Sequence, residues 1–165
     1  MADAERYSFK NLEVWKAAQQ FAAVDVSRLV DDLPNTRSAD VIGRQLLRSA
    51  TSVGANIAEG HARYTFGAYR NHLSIAKGSA AESEHWVDLL VRRGLITEES
   101  GQRLGQTCMM LMGVLTRRIL ALQQQEKSSG PRIREDGPVY QPPDSLVPWF
   151  SGSMVQGDLD EEEGR

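Results

Sequence analysis

Residues 38–60 read SADVIGRQLLRSATSVGANIAEG. Ile42, Leu46, Ala50, Val53 and Ile57 recur at steps of three and four, the spacing that puts side chains on one face of an α-helix. Ser38 suits the N-cap, because its hydroxyl can accept from a free backbone N–H. Asp40 falls in the first turn, where the helix dipole favours negative charge. Gly60 suits a left-handed C-terminal stop. The stretch therefore predicts a helix from about Ala39 to Glu59 with one apolar stripe to bury.

The same period extends in both directions. Upstream, Leu12, Trp15, Ala18, Ala22, Val26 and Leu29 predict a helix from about Leu12 to Asp32, with Asn11 as its N-cap. Val14, Ala17, Phe21 and Val24 add a second stripe, so this face is wider than a minimal bundle seam. Leu33-Pro34-Asn35 ends it, since proline disfavours helical geometry in the residue before it and has no N–H to donate. Downstream, Phe66, Tyr69, Leu73, Ala76, Ala80, Val87 and Leu90 predict a helix from about Phe66 to Arg92, capped by Thr65 and ended at Gly94. Leu104, Cys108, Leu111, Leu115, Ile119 and Leu122 carry a fourth from after Thr97 to about Gln125, with Glu98 and Glu99 in its first turn. No segment alternates with period two for long enough to make a strand. Short connections favour antiparallel neighbours, so the expected fold is all-α, an up-down-up-down four-helix bundle.

Small residues punctuate the two middle helices: Ser49, Ala50, Ser52, Gly54 and Ala55 in one, Ser74, Ala76, Gly78, Ser79, Ala80, Ala81 and Ser83 in the other. Antiparallel pairing sets them at similar heights and lets the backbones approach. A helix-interior glycine costs about 1 kcal/mol relative to alanine, so Gly54 and Gly78 each predict a compensating close contact.

The chain of 165 residues is 41% hydrophobic and 25% charged, with net charge −3. That charge divides unevenly. Residues 1–125 hold 15 Lys/Arg against 13 Asp/Glu, giving +2, and residues 126–165 hold 4 against 9, giving −5. Five of the six prolines fall in the second part, which ends in Asp158-Leu159-Asp160-Glu161-Glu162-Glu163 and shows no periodicity. Such a stretch buries too little apolar surface to offset its ordering entropy. The expected organisation is a bundle over 1–125 and a disordered acidic tail over 126–165. Leu146-Val147-Pro148-Trp149-Phe150 is an apolar island in that tail, and Trp149 and Phe150 are candidate partner-docking residues. A lone cysteine, Cys108, excludes an intramolecular disulfide and a cysteine-based zinc site. The first ten residues lack a signal-peptide apolar region. The longest apolar run, Cys108 to Leu115, falls far short of the roughly 20 residues of a membrane span. A cytoplasmic protein without membrane association is expected.

Chemistry-bearing patterns are sparse. Glu82-Ser83-Glu84-His85 holds one Glu-x-x-His step, whereas carboxylate-bridged di-iron bundles need two such steps plus two further carboxylates. No nucleophile elbow, dinucleotide fingerprint or P-loop occurs. No catalytic residue, metal site or cofactor is expected. Asn56 and Glu59 flank the core position Ile57, which points to local hydrogen bonds or an ion pair, for instance with Arg63. Arg44 and Arg48 share a helix face, and Arg63, Arg70 and Lys77 are spaced by seven. On adjacent antiparallel helices these five would form one basic strip for phosphate, with His61, Tyr64 and His72 nearby. Arg92, Arg93, Arg117 and Arg118 would form a second patch. The bland alternative is a solvated face balanced by Glu59, Glu82, Glu84 and Asp88.

Three stretches carry a resemblance. They are Phe9-x-x-Leu12-x-Val14-Trp15, then Gln45-Leu46-x-Arg48-Ser49-Ala50-x-Ser52-Val53-x-x-Asn56-Ile57-Ala58-Glu59-Gly60, then Leu73-x-Ile75-Ala76-x-Gly78-Ser79-x-x-Glu82. Over about residues 7–122 the chain resembles the four-helix-bundle proteins first known as 23S rRNA-intervening-sequence proteins. The resemblance marks Asn56, Glu59, Gly60, Gly78, Ser79 and Glu82 as structural or interface positions. It implies assembly as a ring, typically a homopentamer. It also implies a distant relationship to the accessory variability determinant of diversity-generating retroelements, a basic pentameric barrel that works with a reverse transcriptase and binds nucleic acid. The tail has no counterpart in that pattern, and the mildly acidic whole departs from a strongly basic barrel. Together these give one leading expectation, a non-enzymatic ring-forming scaffold for RNA, DNA or a nucleic-acid enzyme such as a reverse transcriptase. The competing expectation is a protein-interaction module that docks a partner through Trp149 and Phe150, without nucleic acid.

Overall fold

The computed structural model describes residues 8–63 and 65–129, and all its helices lie there. A 3₁₀ turn, Phe9–Asn11, opens the chain. Helix α1 follows in three runs: Glu13–Gln20 is α-helical, Phe21–Val26 is π-helical and Ser27–Asp31 is α-helical again. Then come α2, Arg37–His61, α3, Phe66–Arg92, and α4, Glu98–Ser129. The four helices form the antiparallel up-down-up-down bundle, with α2 on α3, α3 on α4 and α1 laid chiefly on α2. The expected acidic tail lies outside the described residues.

The helix ends correct several local expectations. Asn11 is not the N-cap of α1: it falls inside the 3₁₀ turn, Ser8 Oγ accepts from the Lys10 amide at 3.3 Å, and Leu12 takes the cap position of α1 without a side-chain bond. Helix α2 starts two residues earlier than expected because Thr36, extended at φ −123° and ψ 150°, accepts from the Ala39 amide at 3.3 Å. That leaves Ser38 within the first turn rather than at the cap. Thr65 caps α3 as expected, accepting from Ala68 N at 3.1 Å. Gly94 is left-handed at φ 64°; its amide and that of Leu95 return to Val91 and Leu90 carbonyls at 2.8 and 2.9 Å. Thr97 Oγ1 accepts from Ser100 N at 3.2 Å and opens α4, which continues four residues past Gln125.

Gly60 does not stop α2. It is buried and helical, and the helix runs through it to His61. A Cβ there would lie 2.7 Å from His72 Cβ and 2.9 Å from the Tyr69 ring, so glycine is present for closeness to α3, not for handedness.

The core gathers the predicted stripes. Leu46, Val53 and Ile57 of α2, Leu73 and Leu90 of α3, and Leu111 and Leu115 of α4 are sealed from solvent. Cys108 is buried among them, and burial, reinforced by the charge of Glu84, pushes its thiol up to about 12, so it stays an inert thiol at neutral pH. The wide face of α1 has a physical cause in the π turn. An α-helix advances about 100° per residue, so an unbroken helix would carry Val26 and Val30 away from the line of Ala18. The wider i→i+5 winding of residues 21–26 rotates them back: Ala18, Phe21, Ala22 and Val26 are all buried, and Val30 packs on the core.

Candidate nucleic-acid interface

The α2–α3 seam is polar where most bundle seams are apolar. Ser49 and Ser83 hydroxyls meet at 2.8 Å and those of Ser52 and Ser79 at 3.0 Å, with Ser49 and Ser83 fully buried. Asn56 Nδ2 donates to Ser52 O at 2.9 Å and to Ser52 Oγ at 3.1 Å. The amide orientation that allows this turns Asn56 Oδ1 to His72 Nδ1 at 3.4 Å, so His72 is the donor there. His72 Nε2 then lies 3.7 Å from Glu59, which also pairs with Arg63. Further along, Glu82 accepts from Arg48 at 2.6 Å and from the Trp86 indole N–H at 3.3 Å. Backbone carbonyls one turn back accept from Ser79 and Ser83 when their hydroxyls donate locally.

This seam unites five of the six family-motif residues. Asn56, Glu59 and Gly60 face α3, and Ser79 and Glu82 face α2. Gly78 stands apart: it is exposed, and nothing lies within 4 Å of where its Cβ would be. The close contact expected for it is absent among the described residues. Gly54 has its contact, but from α1 rather than α3, since a Cβ there would lie 2.4 Å from the Gln19 amide nitrogen.

The five basic residues sit on two sides of α3 rather than in one strip. Arg44 pairs with Asp40 at 2.8 Å on the open side of α2. Arg48 bridges to α3 through Glu82 and also donates to Gln45 at 3.0 Å. Arg63 lies beyond the end of α2 and folds back on Glu59. Arg70 turns to the other side of α3 and pairs with Glu126 of α4. Lys77, two turns along the same face as Arg70, is half-buried and has no ion pair among the described residues. The heptad spacing is real, but the helix carrying it turns that face toward α4. The second patch is also dispersed. Arg92 and Arg93 lie at the end of α3 beside the start of α4, whereas Arg117 and Arg118 lie nineteen and twenty residues further along α4 from Glu98, about 28–30 Å at 1.5 Å per residue. Arg118 covers the buried Tyr69 ring at 5.7 Å.

The half metal motif is likewise separated: Glu82 serves Arg48 and Trp86, while exposed His85 lies edge-on to Trp86 at 5.0 Å. Among the described residues no group of three or more His, Cys, Asp or Glu is placed to hold a metal ion. Trp149, Phe150 and Tyr64 lie outside the described residues. Sequence reasoning missed Gln19 over Gly54, Trp86 on Glu82 and Arg118 on Tyr69. The first was within reach, because a glycine on a core-side position of one helix calls for a longer side chain opposite it.

An all-helical bundle whose second and third helices are locked by a serine–asparagine–histidine seam defines the class: a small helical-bundle protein. The sequence model of the 23S rRNA-intervening sequence proteins matches residues 10–117, and the chain belongs to that family. A crystal structure of a protein with unknown function from the S23 ribosomal protein family of Bacteroides thetaiotaomicron VPI-5482 is similar. It is 33% identical, the match covers 64% of this chain and 97% of that one, and the TM-score is 0.60. No curated protein matches the chain. No helix among the described residues is long and apolar enough to cross a membrane.

Proposed function

We propose that the chain is a non-enzymatic, ring-forming helical scaffold that binds nucleic acid in the cytoplasm. By its resemblance, the ring is a homopentamer and the nucleic acid is one handled by an enzyme such as a reverse transcriptase. The observation that carries the reading is the state of Arg44 and Arg48, one helical turn apart on α2. Their side chains are 75% and 68% exposed, and each is held by a single surface carboxylate. Exposed ion pairs contribute only about 0–1 kcal/mol, so phosphate can replace Asp40 and Glu82 at little cost. Both guanidinium groups remain largely exposed, so bidentate contact is open to them. A ring would repeat this pair of arginines in every copy, which concentrates positive field on a chain of modest charge.

Retention of labelled structured RNA and DNA, measured against salt, tests the reading. Binding should weaken with salt, and Arg44→Gln/Arg48→Gln should lower the log–log salt slope by about two for each copy engaged. Retention indifferent to salt, or a slope unchanged by the double substitution, would defeat it.

A further inference from the structure

At the end of the bundle where α3 runs out and α4 begins, a cleft of roughly 310 Å³ opens between the two helices. Its size is at the lower limit for pockets that take a ligand group. The floor is apolar, from Val87 and Val91, and it is widened by Gly105, beside which there is open space. The rim is acidic: Glu84 and Asp88 on α3, Glu98 on α4. Asp88 is held only by exposed Arg92 at 2.6 Å, and neither Glu84 nor Glu98 has an ion pair among the described residues. Nucleic acid is repelled here, and a cationic segment with aliphatic stems is what fits.

The chain carries one such segment immediately after α4, Pro131-Arg132-Ile133-Arg134. In an extended segment, residues i and i+2 point to the same side about 6.6–6.8 Å apart. Glu84 and Asp88, one turn apart on α3, are separated by about 6 Å along the helix. Arg132 and Arg134 therefore match Glu84 and Asp88 in both charge and spacing, with their aliphatic stems over Val87 and Val91. The segment cannot reach the cleft of its own chain. Gly105 is the cleft residue nearest the C-terminal end of α4, 24 residues before Ser129, which is about 36 Å of helix. Five extended residues from Ser129 to Arg134 span at most about 17–18 Å.

We propose that Arg132 and Arg134 of one copy dock into the Glu84–Asp88–Glu98 cleft of a second copy. The contact joins unlike surfaces, the root of one tail to the cleft of the next copy, so it propagates around a ring or along a filament. It goes beyond the ring-forming reading by naming a contact that the family-matched bundle, residues 10–117, does not contain. It is also independent of nucleic-acid binding.

The test mixes two full-length variants, Glu135→Cys and Gln102→Cys, neither of which alters a proposed contact, under mild oxidation. Mass spectrometry then counts disulfide-linked pairs. The expected result is a 135–102 heterodimer in excess of random pairing. Adding Arg132→Glu/Arg134→Glu to the first chain should lower its yield about tenfold, because like charges then face each other. Adding Glu84→Arg/Asp88→Arg to the second chain should then restore it. Random pairing, insensitivity to charge reversal, failure of the rescue, or a dominant intrachain link in a chain carrying both cysteines would each overturn the proposal. Salt-dependent RNA retention is read separately, so either idea can fail alone.

Discussion

Helix α3 meets α2 through hydroxyls, an amide and an imidazole; it meets α4 through hydrocarbon for most of its length. On the α2 side Ser83, Ser79 and His72 each find a partner in register, Ser49, Ser52 and Asn56. On the α4 side Leu73, Ala76, Ala80 and Val87 pack into the core with Leu104, Leu111 and Leu115, an ion pair closes one end and the acid-rimmed cleft opens at the other. Hydrocarbon contact is non-directional and tolerates small slides, whereas a buried hydroxyl without its partner costs about 1–3 kcal/mol. The polar seam thus sets which residues of α2 and α3 stand opposite one another, and the apolar one supplies burial. That division explains why the family-specific residues crowd the first seam and why the cleft is found in the second.

The largest way to break this contrast is at the two motif glycines. Gly60→Ala drives a methyl toward His72 Cβ, which is fixed to its own backbone, and should destabilise by about 2–3 kcal/mol. Gly78→Ala meets no atom of the described residues within 4 Å and should stabilise by about 0.5–1 kcal/mol through helix propensity. Thermal unfolding followed by circular dichroism should show shifts of opposite sign, and equal shifts would erase the distinction between the crowded and open faces. The seam itself is sharpened by Ser49→Ala and Ser83→Ala. Each should cost about 1 kcal/mol, and the double substitution should cost less than the sum, because either deletion alone already removes the one hydrogen bond the two hydroxyls share. Strict additivity in urea unfolding would mean that the two hydroxyls are not coupled.

The smallest effect concerns a charge with no such arrangement. Asp25, in the π turn, is raised above the usual carboxylate range by partial burial, against the pull of Arg103 and Arg28. Its folded value thus exceeds its unfolded one. Below the unfolded value the group is neutral in both states and costs nothing; as pH rises through the folded value, ionisation in the less watery site erodes stability. Asp25→Asn should accordingly gain roughly a few tenths of a kcal/mol at pH 7, a figure kept small because the carboxylate is half in water and screened. The gain should vanish near pH 3, and a gain that persists there would assign it to something other than charge.

Much of this was legible in the residues. The stripe Ile42, Leu46, Ala50, Val53 and Ile57 is the buried face of α2, and Thr65, Gly94 and Thr97 act at the ends where their chemistry places them. The Glu59–Arg63 pair follows from a four-residue step. Other features depend on the partner helix. Gly60 looks like a helix stop until Tyr69 and His72 are seen against it. Arg70 and Lys77 share a face by periodicity, but only packing shows that α4 covers it, with Glu126 waiting 56 residues away. Periodicity gives the direction in which a side chain leaves its own helix; it says nothing of what stands there.

The π turn of α1 bears on how the chain can change length. Residues 21–26 hold the slack that keeps Ala18 and Val26 facing the same interior, much as a leap day keeps a calendar in phase. Removing one residue there would let the winding relax to an ordinary helix and leave the second half in step. Removing one from the regular run before it, Glu13–Gln20, would turn Leu12 and Trp15 off the core, because the π turn lies on the other side of the cut from them. Within one helix, then, tolerance to deletion is local, and it is greatest where the backbone is least regular.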